Sequence, residues 1–309
     1  MKKIIVIAGP TASGKTSLSI KVCQELGGEV VSADSMQIYK TLDIGTAKPS
    51  LCERCGVPHH MIDICDPWER YSVADYVSEA TKIIDDIILR GKIPIVVGGT
   101  GLYIDHLICE TDFEEGFTDP SLRSELNAIA SVYGGAYLRT ILKEFDPETA
   151  SRLHDNDIKR IIRAIEFYKT SGKTISEHNR QNSFDKKRYD ASFYVLNSEN
   201  RSFLYERINS RVDVMLGAGL LNEAENVVRS DWFASSTASQ AIGYKEFVPY
   251  FQDVASLDNC VELLKQHSRN YAKRQLTWFR AKKDAVVLNI DSKDVDPFCK
   301  IIADWQGDN

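Results

Sequence analysis

The chain has 309 residues, 43% of them hydrophobic, and a formal net charge of −6. That length and apolar share suffice for a buried core in one large domain or two modest ones. The acidic balance excludes global attraction to nucleic acid, so any polyanion site must be local, and no apolar run approaches the roughly 20 residues of a membrane span.

An apolar strand over 4–8 runs directly into Gly9-Pro10-Thr11-Ala12-Ser13-Gly14-Lys15-Thr16, and a helical pattern follows over 17–26. Strand, glycine-rich turn and helix are the context of a phosphate-binding loop, a nucleotide-binding motif shared with ATP-binding proteins. Its backbone N–H groups converge on one anion, and the helix N-terminus adds partial positive charge. Lys15 supplies a full charge, and the Thr16 hydroxyl is placed to ligate a Mg²⁺ held by the phosphates. The motif leaves open which phosphate compound binds. Because the strand follows Met1-Lys2-Lys3 directly, an export signal would remove it, and a cytoplasmic protein is expected.

A second strand over 29–32 ends at Ala33-Asp34-Ser35, a helix is predicted over 73–90, and a third strand over 93–97 ends in the glycine turn 98–101. This alternation predicts an α/β fold: a phosphate-loop core on a parallel sheet with helices on both faces. Ligands in such sheets bind at the carboxyl ends of the strands, so the loop, Asp34 and the 98–101 turn point at one crevice. Asp34 could ligate a metal, bind a ribose or act as a general base, or it could simply shape a turn.

Residues 111–190 carry helical patterns over 121–133, 136–144, 147–152 and 158–170 and no convincing strand, which predicts a helical insertion domain. The core is then residues 1–110 and 191–309. Its second part holds a strand over 193–196, helices over 201–216, 220–228, 244–248 and 261–282, and a last strand over 285–290.

The seven cysteines fit free thiols in a reducing compartment. Cys52, Cys55, His59 and His60 have zinc-like spacing but no second well-spaced pair, so an incidental surface loop is the favoured reading. The strand 93–97 ends in glycines instead of the carboxylate that holds Mg²⁺ in ATP-hydrolysing relatives, and Asp85-Asp86 falls inside a helix. The loop therefore fits an enzyme that holds a diphosphate as leaving group. Arg269, Lys273, Arg274, Arg280, Lys282 and Lys283 share one helical stretch with Tyr271, Trp278 and Phe279 between them. Lys159, Arg160 and Arg163 form a second cluster, and Arg207 and Arg211 lie four apart on one helical face. Such clusters suit a polyanion whose bases stack on aromatics, although Phe279 and Trp278 also fit a core-facing stripe.

The ordered motifs GPTASGKT (9–16), SADSMQIYK (32–40), DIGTAKP (43–49), GVPHHMID (56–63), GGTGLY (98–103), RIIRAIE (160–166), SRVDVMLGAGLLNE (210–223), QAIGYKE (240–246) and KRQLTWFR (273–280) resemble the bacterial tRNA dimethylallyltransferase family over nearly the whole chain. The resemblance implies transfer of a dimethylallyl group from dimethylallyl diphosphate to the exocyclic amine of the adenine on the 3′ side of the anticodon, in tRNAs reading codons that start with U. It implies that residues 9–16 bind the diphosphate with Mg²⁺, with Thr16 as metal ligand. It gives Asp34 as general base, Thr100 on the reacting channel, and Arg211 on the diphosphate. It also implies that the tRNA anticodon stem-loop is contacted by Asp34, Ser35, Met36, Gln37, Arg123, Lys159, Arg160, Ile161, Ile162 and Arg163, with Lys273 and Arg274 on the basic helix. Met36 stands where the family motif often has Arg. A monomer with no membrane association is expected. The rival readings are an adenylate isopentenyltransferase acting on free AMP, ADP or ATP, a phosphate-loop kinase of a small metabolite, and a non-catalytic RNA-binding protein that kept the fold.

Overall fold

A computed structural model of the chain describes residues 1–111, 119–181, 186–292 and 295–307. Contacts divide it into two compact units, Met1–Cys109 with Lys187–Asn309, and Glu110–Lys186.

In chain order, β1 (Lys2–Ala8) leads through the glycine-rich loop to α1 (Lys15–Leu26) and β2 (Gly28–Ala33). The two-residue edge strand β3 (His59–His60) follows, then α2 (Val73–Leu89), β4 (Ile93–Gly98) and α3 (Gly101–Ile108). Ser72 opens α2 with a capping box: its side chain accepts the Asp75 N–H, and the Asp75 carboxylate accepts the Ser72 N–H. The second unit holds α4 (Pro120–Lys143), α5 (Pro147–Arg152), α6 (Ile158–Ser171) and α7 (Ile175–Gln181). The chain returns with β5 (Tyr189–Asn197), α8 (Arg201–Gly217) and α9 (Leu220–Val228). A 3₁₀ turn over Lys245–Phe247 leads into α10 (Val248–Phe251), followed by α11 (Leu257–Arg280), β6 (Val286–Asn289) and α12 (Pro297–Gly307).

The six strands form one sheet in the order β3-β2-β4-β1-β5-β6, and every pairing is parallel. The expected α/β fold is therefore present, with helices packed around the sheet. The inner strands are apolar along their length because both faces are covered: Ile4 to Ala8 and Ile95 and Val96 are all fully buried. One core cluster gathers Ile5, Ile7, Val30, Ile95, Leu196 and Trp305. A second gathers Ile38, Leu42, Val212, Leu220, Tyr244 and Leu264, which fixes α8, α9 and α11 to the segment after β2.

The second unit is helical in all its described elements and has its own core of Leu126, Leu138, Leu142, Ile161, Ile162 and Ile165. Within α4, Gly134 has φ 78° and breaks the helix between the two stretches that periodicity separates.

Several elements escape the sequence pattern. The helix α3 starts inside the glycine turn, whose composition reads as loop. The strand β3 is too short to show alternation, and α7 and α12 lie beyond the patterns recognised. The helix expected over 244–248 is a 3₁₀ turn followed by a single helical turn, because Pro249, directly after the stretch, has no N–H to donate back to Lys245.

Candidate active site

The site is built where three neighbouring strands end. Ala33 and Ala8, the last residues of β2 and β1, both stand level with Gly98, the last residue of β4 between them. The phosphate loop, Asp34 and Thr100 therefore leave the sheet side by side, and all three segments line one cavity or abut it. A Cβ on Gly99 would lie 2.0 Å from Gln275 Nε2, so a larger residue there would displace the Gln275 amide from the turn.

The phosphate loop is braced from two helices. Lys15 Nζ donates to Pro10 O at 2.6 Å, and Gln275 Oε1 accepts the Thr11 N–H at 2.8 Å. From α8, Arg207 Nε donates to Ala12 O at 2.8 Å, and one turn later Arg211 donates to Thr11 Oγ1 at 3.4 Å. Burial and the positive charge of Arg211 push the Lys15 ammonium down to about 7, against the opposing pull of Asp34. Burial also lowers Arg211, and the charges of Asp34 and Glu53 oppose that. Clustered cations that repel one another in a desolvated pocket are relieved by an anion, and a diphosphate supplies one.

A divalent cation fits this donor set. Thr16 and Asp34 line the same cavity, and hydroxyl and carboxylate oxygens suit Mg²⁺. Within the loop, Ser13 Oγ is buried without a hydrogen-bond partner. Among the described residues no group of three or more His, Cys, Asp or Glu gathers to hold a metal. The zinc-like residues do not converge: Cys52 and Cys55 are exposed, His59 Nδ1 is hydrogen-bonded to Val57 O at 2.8 Å, and His60 Nε2 is hydrogen-bonded to Glu29 at 2.8 Å.

Asp34 closes its own turn. Its Oδ1 accepts the N–H groups of Met36 at 2.9 Å and Gln37 at 3.3 Å, which leaves Oδ2 for a substrate. Both readings of this residue, turn-former and catalytic carboxylate, thus fit one side chain. Thr100 Oγ1 accepts the Ser35 N–H at 3.0 Å and lies 3.4 Å from Ser35 Oγ, so it joins the β4 turn to the Asp34 turn. Gln37 Nε2 donates to Thr46 O and Ala47 O, both at 3.2 Å, and holds a wall of the cavity. Apolar lining comes from Ile208, Val212, Met215, Ile242 and Leu264.

The basic helix is more specialised than its sequence suggests. Tyr271, Arg274 and Gln275 line the cavity, and the Arg274 guanidinium lies 5.5 Å from the Tyr271 ring centroid. Lys273 is exposed on the outer side, 5.9 Å from the Tyr205 ring. Phe279 is buried and is no base-stacking platform. Trp278 is 40% exposed, but its Nε1–H donates to Asp105 at 2.9 Å, and Lys282 pairs with the same carboxylate at 2.7 Å. Sequence reasoning missed Tyr271 and Gln275 as cavity residues and Arg207 as a loop brace. The signal for the first two was their i, i+4 spacing, which puts a phenol and an amide on one helical face.

In the second unit, Arg123 pairs with Glu166, which is fully buried, and Arg163 reaches the same carboxylate at 3.5 Å. Lys159 and Arg160 are exposed at the start of α6. Ile161 and Ile162 turn inward at 0% and 4% exposure, so the expectation of a tRNA contact through their side chains is corrected: helical spacing sends them into the core of the unit while their charged neighbours stay outside.

Comparison with known proteins places these features in one family. Residues 37–282 match the IPP transferase family, and residues 2–59 match the isopentenyl transferase family. A tRNA dimethylallyltransferase of Carboxydothermus hydrogenoformans is 48% identical over 279 residues, covering 90% of this chain and 89% of that protein. The crystal structure of a tRNA delta(2)-isopentenylpyrophosphate transferase from Staphylococcus epidermidis is 41% identical, covers 100% of both chains and has a TM-score of 0.73. A eukaryotic dimethylallyltransferase acting on tRNA is 33% identical with a TM-score of 0.82, covering 100% of this chain and 80% of that one.

Proposed function

Because the chain belongs to the IPP transferase family and is a tRNA-modifying prenyltransferase, we propose that it moves a dimethylallyl group from dimethylallyl diphosphate to the exocyclic amine of the adenine 3′-adjacent to the anticodon, in tRNAs that read codons starting with U. The observation that carries this reading is the shared cavity of Lys15, Arg211 and Asp34, an anion-binding loop and a carboxylate on one void.

An adenine amine is a weak nucleophile because its lone pair is delocalised into the ring. Its nitrogen attacks C1 of the prenyl group, the N–C1 bond forms, and the C1–O bond breaks with its electron pair leaving on the diphosphate. Asp34 Oδ2 accepts the proton that the amine must lose, a role worth about 10²–10⁴ in rate. Negative charge builds on the departing diphosphate, where the loop N–H groups, Lys15 and Arg211 stabilise it. When bound, Mg²⁺ neutralises further diphosphate charge, with Thr16 as its protein ligand. The apolar lining of Ile208, Val212, Met215 and Ile242 suits the prenyl tail and excludes water from an allylic carbon that carries developing positive charge.

An adenine in a folded anticodon loop must leave its stack to reach this cavity. Lys273 and Arg274 on α11, and Lys159, Arg160 and Arg163 on α6, are the cations that hold the stem-loop backbone while it does. Arg123, paired with Glu166 in the second unit, is proposed as a further tRNA contact. No helix among the described residues is long and apolar enough to cross a membrane. A tRNA substrate supports a cytoplasmic enzyme, and we propose that it acts as a monomer.

The test is transfer of radiolabel from dimethylallyl diphosphate, with Mg²⁺, to unmodified tRNA and to free AMP in parallel. Label in tRNA at the adenine beside the anticodon is the expected result. Label in AMP alone would move the chain to nucleotide prenylation and overturn the reading.

A further inference from the structure

Asp34 accounts for only part of what an adenine edge requires. With Oδ1 filled by the Met36 and Gln37 N–H groups, Oδ2 accepts one amine hydrogen. The ring nitrogen beside the amine is an acceptor and needs a donor within reach of the same carboxylate. Several polar groups around the cavity are committed elsewhere. Gln275 accepts from Thr11 and donates to Gly99 O at 3.1 Å. Lys15 and Arg211 face the phosphate loop. Thr100 accepts the Ser35 N–H and lies against Ser35 Oγ.

Tyr271 remains. It lies one helical turn before Gln275 on the cavity face of α11, under the Arg274 guanidinium, and its hydroxyl is within reach of Thr100 and Gln275 and in the field of Asp34. Burial and the Asp34 charge raise its pKa, so it stays a neutral donor throughout the working pH range. Resting on the adenine reading above, we propose that the Tyr271 hydroxyl donates a hydrogen bond to N1 of the target adenine and, with Asp34 on the amine, selects adenine. Guanine presents an oxygen acceptor and an N1–H donor at the same two places, the reverse of the pair Asp34 and Tyr271 offer. A site built to hydrogen-bond one pattern rejects the other because its polar groups are left unpaired. The donated hydrogen bond also withdraws electron density from the amine and eases loss of its proton to Asp34.

The experiment crosses an enzyme change with a substrate atom change. Wild type and Tyr271→Phe are each assayed for kcat/KM on an anticodon stem-loop carrying adenosine, 1-deazaadenosine or 7-deazaadenosine at the target position. A neutral hydrogen bond predicts a loss of about tenfold for wild type on the 1-deaza substrate, and about tenfold for Tyr271→Phe on adenosine. The two changes together should cost no more than either alone, with the KM for dimethylallyl diphosphate unmoved. Losses that multiply, or Tyr271→Phe with full activity, overturn the proposal. If Tyr271→Phe does not fold, wild type alone decides: indifference to 1-deazaadenosine, or a larger loss with 7-deazaadenosine, also overturns it. Failure of wild type on the adenosine stem-loop would instead sink the tRNA reading, so the two failures are separate.

Discussion

Gln275 Oε1 accepts the backbone N–H of Thr11 at 2.8 Å across 264 positions of sequence. Its Nε2 donates to Gly99 O, so one buried amide ties the basic helix α11 to the phosphate loop and to the β4 turn. Gln275→Ala should cost about 1–3 kcal/mol of stability, because a buried carbonyl loses its partner. It should also raise the KM for dimethylallyl diphosphate severalfold by loosening the loop. Thermal melting and steady-state kinetics check both, and a variant with unchanged melting and unchanged KM removes this strut from the account.

Asp34→Asn keeps an oxygen for the Met36 and Gln37 N–H groups and so keeps the turn, while it removes the base. The expected result is a fall in kcat of about 10²–10⁴ with tRNA affinity held within about twofold. Filter binding alongside single-turnover transfer separates the two quantities. If binding falls as far as turnover, Asp34 is a docking residue and another group takes the proton.

The parts of the site legible in the sequence are those whose chemistry lies in one contiguous stretch. The loop 9–16 declares itself because strand, glycines and helix adjoin, and Asp34 and the 98–101 turn stand out because each follows a readable strand, whereas only the family resemblance singles out Thr100. Tyr271 and Gln275 were not found as cavity residues because their partners lie far away in sequence: Thr11, Gly99 and Thr100 become neighbours only through the β2-β4-β1 strand order. Ile161 and Ile162 were misjudged because a motif is a run of residues, whereas a helix divides that run between a wet face and a dry one. The same division separates exposed Lys273 and Arg274, the latter also lining the cavity, from buried Phe279. The strands were readable from their apolar runs, but β3 is held by backbone pairing of Val30 with His59 and Val31 with His60, which leaves no pattern in the side chains.

That division of α11 sets separate expectations for Lys273 and Arg274. Lys273→Ala should raise the tRNA KM and lower the slope of log affinity against log salt by about one, the signature of a lost phosphate contact, with kcat nearly intact. Arg274→Ala should show the same slope change and also lower kcat, because Arg274 lines the cavity and its guanidinium lies over the Tyr271 ring. An unchanged salt slope in both variants would take α11 out of the tRNA interface.

Lys15 titrates near 7 in the free protein, well below an ordinary lysine, because burial and Arg211 disfavour its charge. A bound diphosphate reverses that balance and raises the pKa. At pH 8 the free ammonium is mostly deprotonated and the bound one is protonated, so binding takes up a proton. Affinity for dimethylallyl diphosphate should therefore weaken as pH rises above about 7, by up to about tenfold per unit until the bound-state pKa is reached. Calorimetry at pH 8 in two buffers of different ionisation enthalpy should report uptake approaching one proton. Lys15→Arg, which stays charged, should abolish the uptake. A wild-type enthalpy independent of buffer would contradict the assignment.

Arg123 tests how far a residue proposed to face tRNA also serves the fold. Its partner Glu166 is fully buried and also accepts the Asp119 N–H at 3.1 Å, while Arg163 reaches it only at 3.5 Å. Removing Arg123 leaves a desolvated carboxylate with weaker partners, and hydrogen bonds to charged groups are worth about 1.5–3 kcal/mol each. Arg123→Ala should thus lower the melting temperature of the full chain by several degrees, whereas Lys159→Ala, an exposed cation on the same unit, should raise the tRNA KM and leave melting unchanged. Adding Glu166→Gln to Arg123→Ala should restore part of the lost stability, since a neutral amide is cheaper to bury than an unpaired carboxylate. If Arg123→Ala melts like wild type, the Glu166 pair contributes nothing to the fold and any effect on tRNA belongs to direct contact alone.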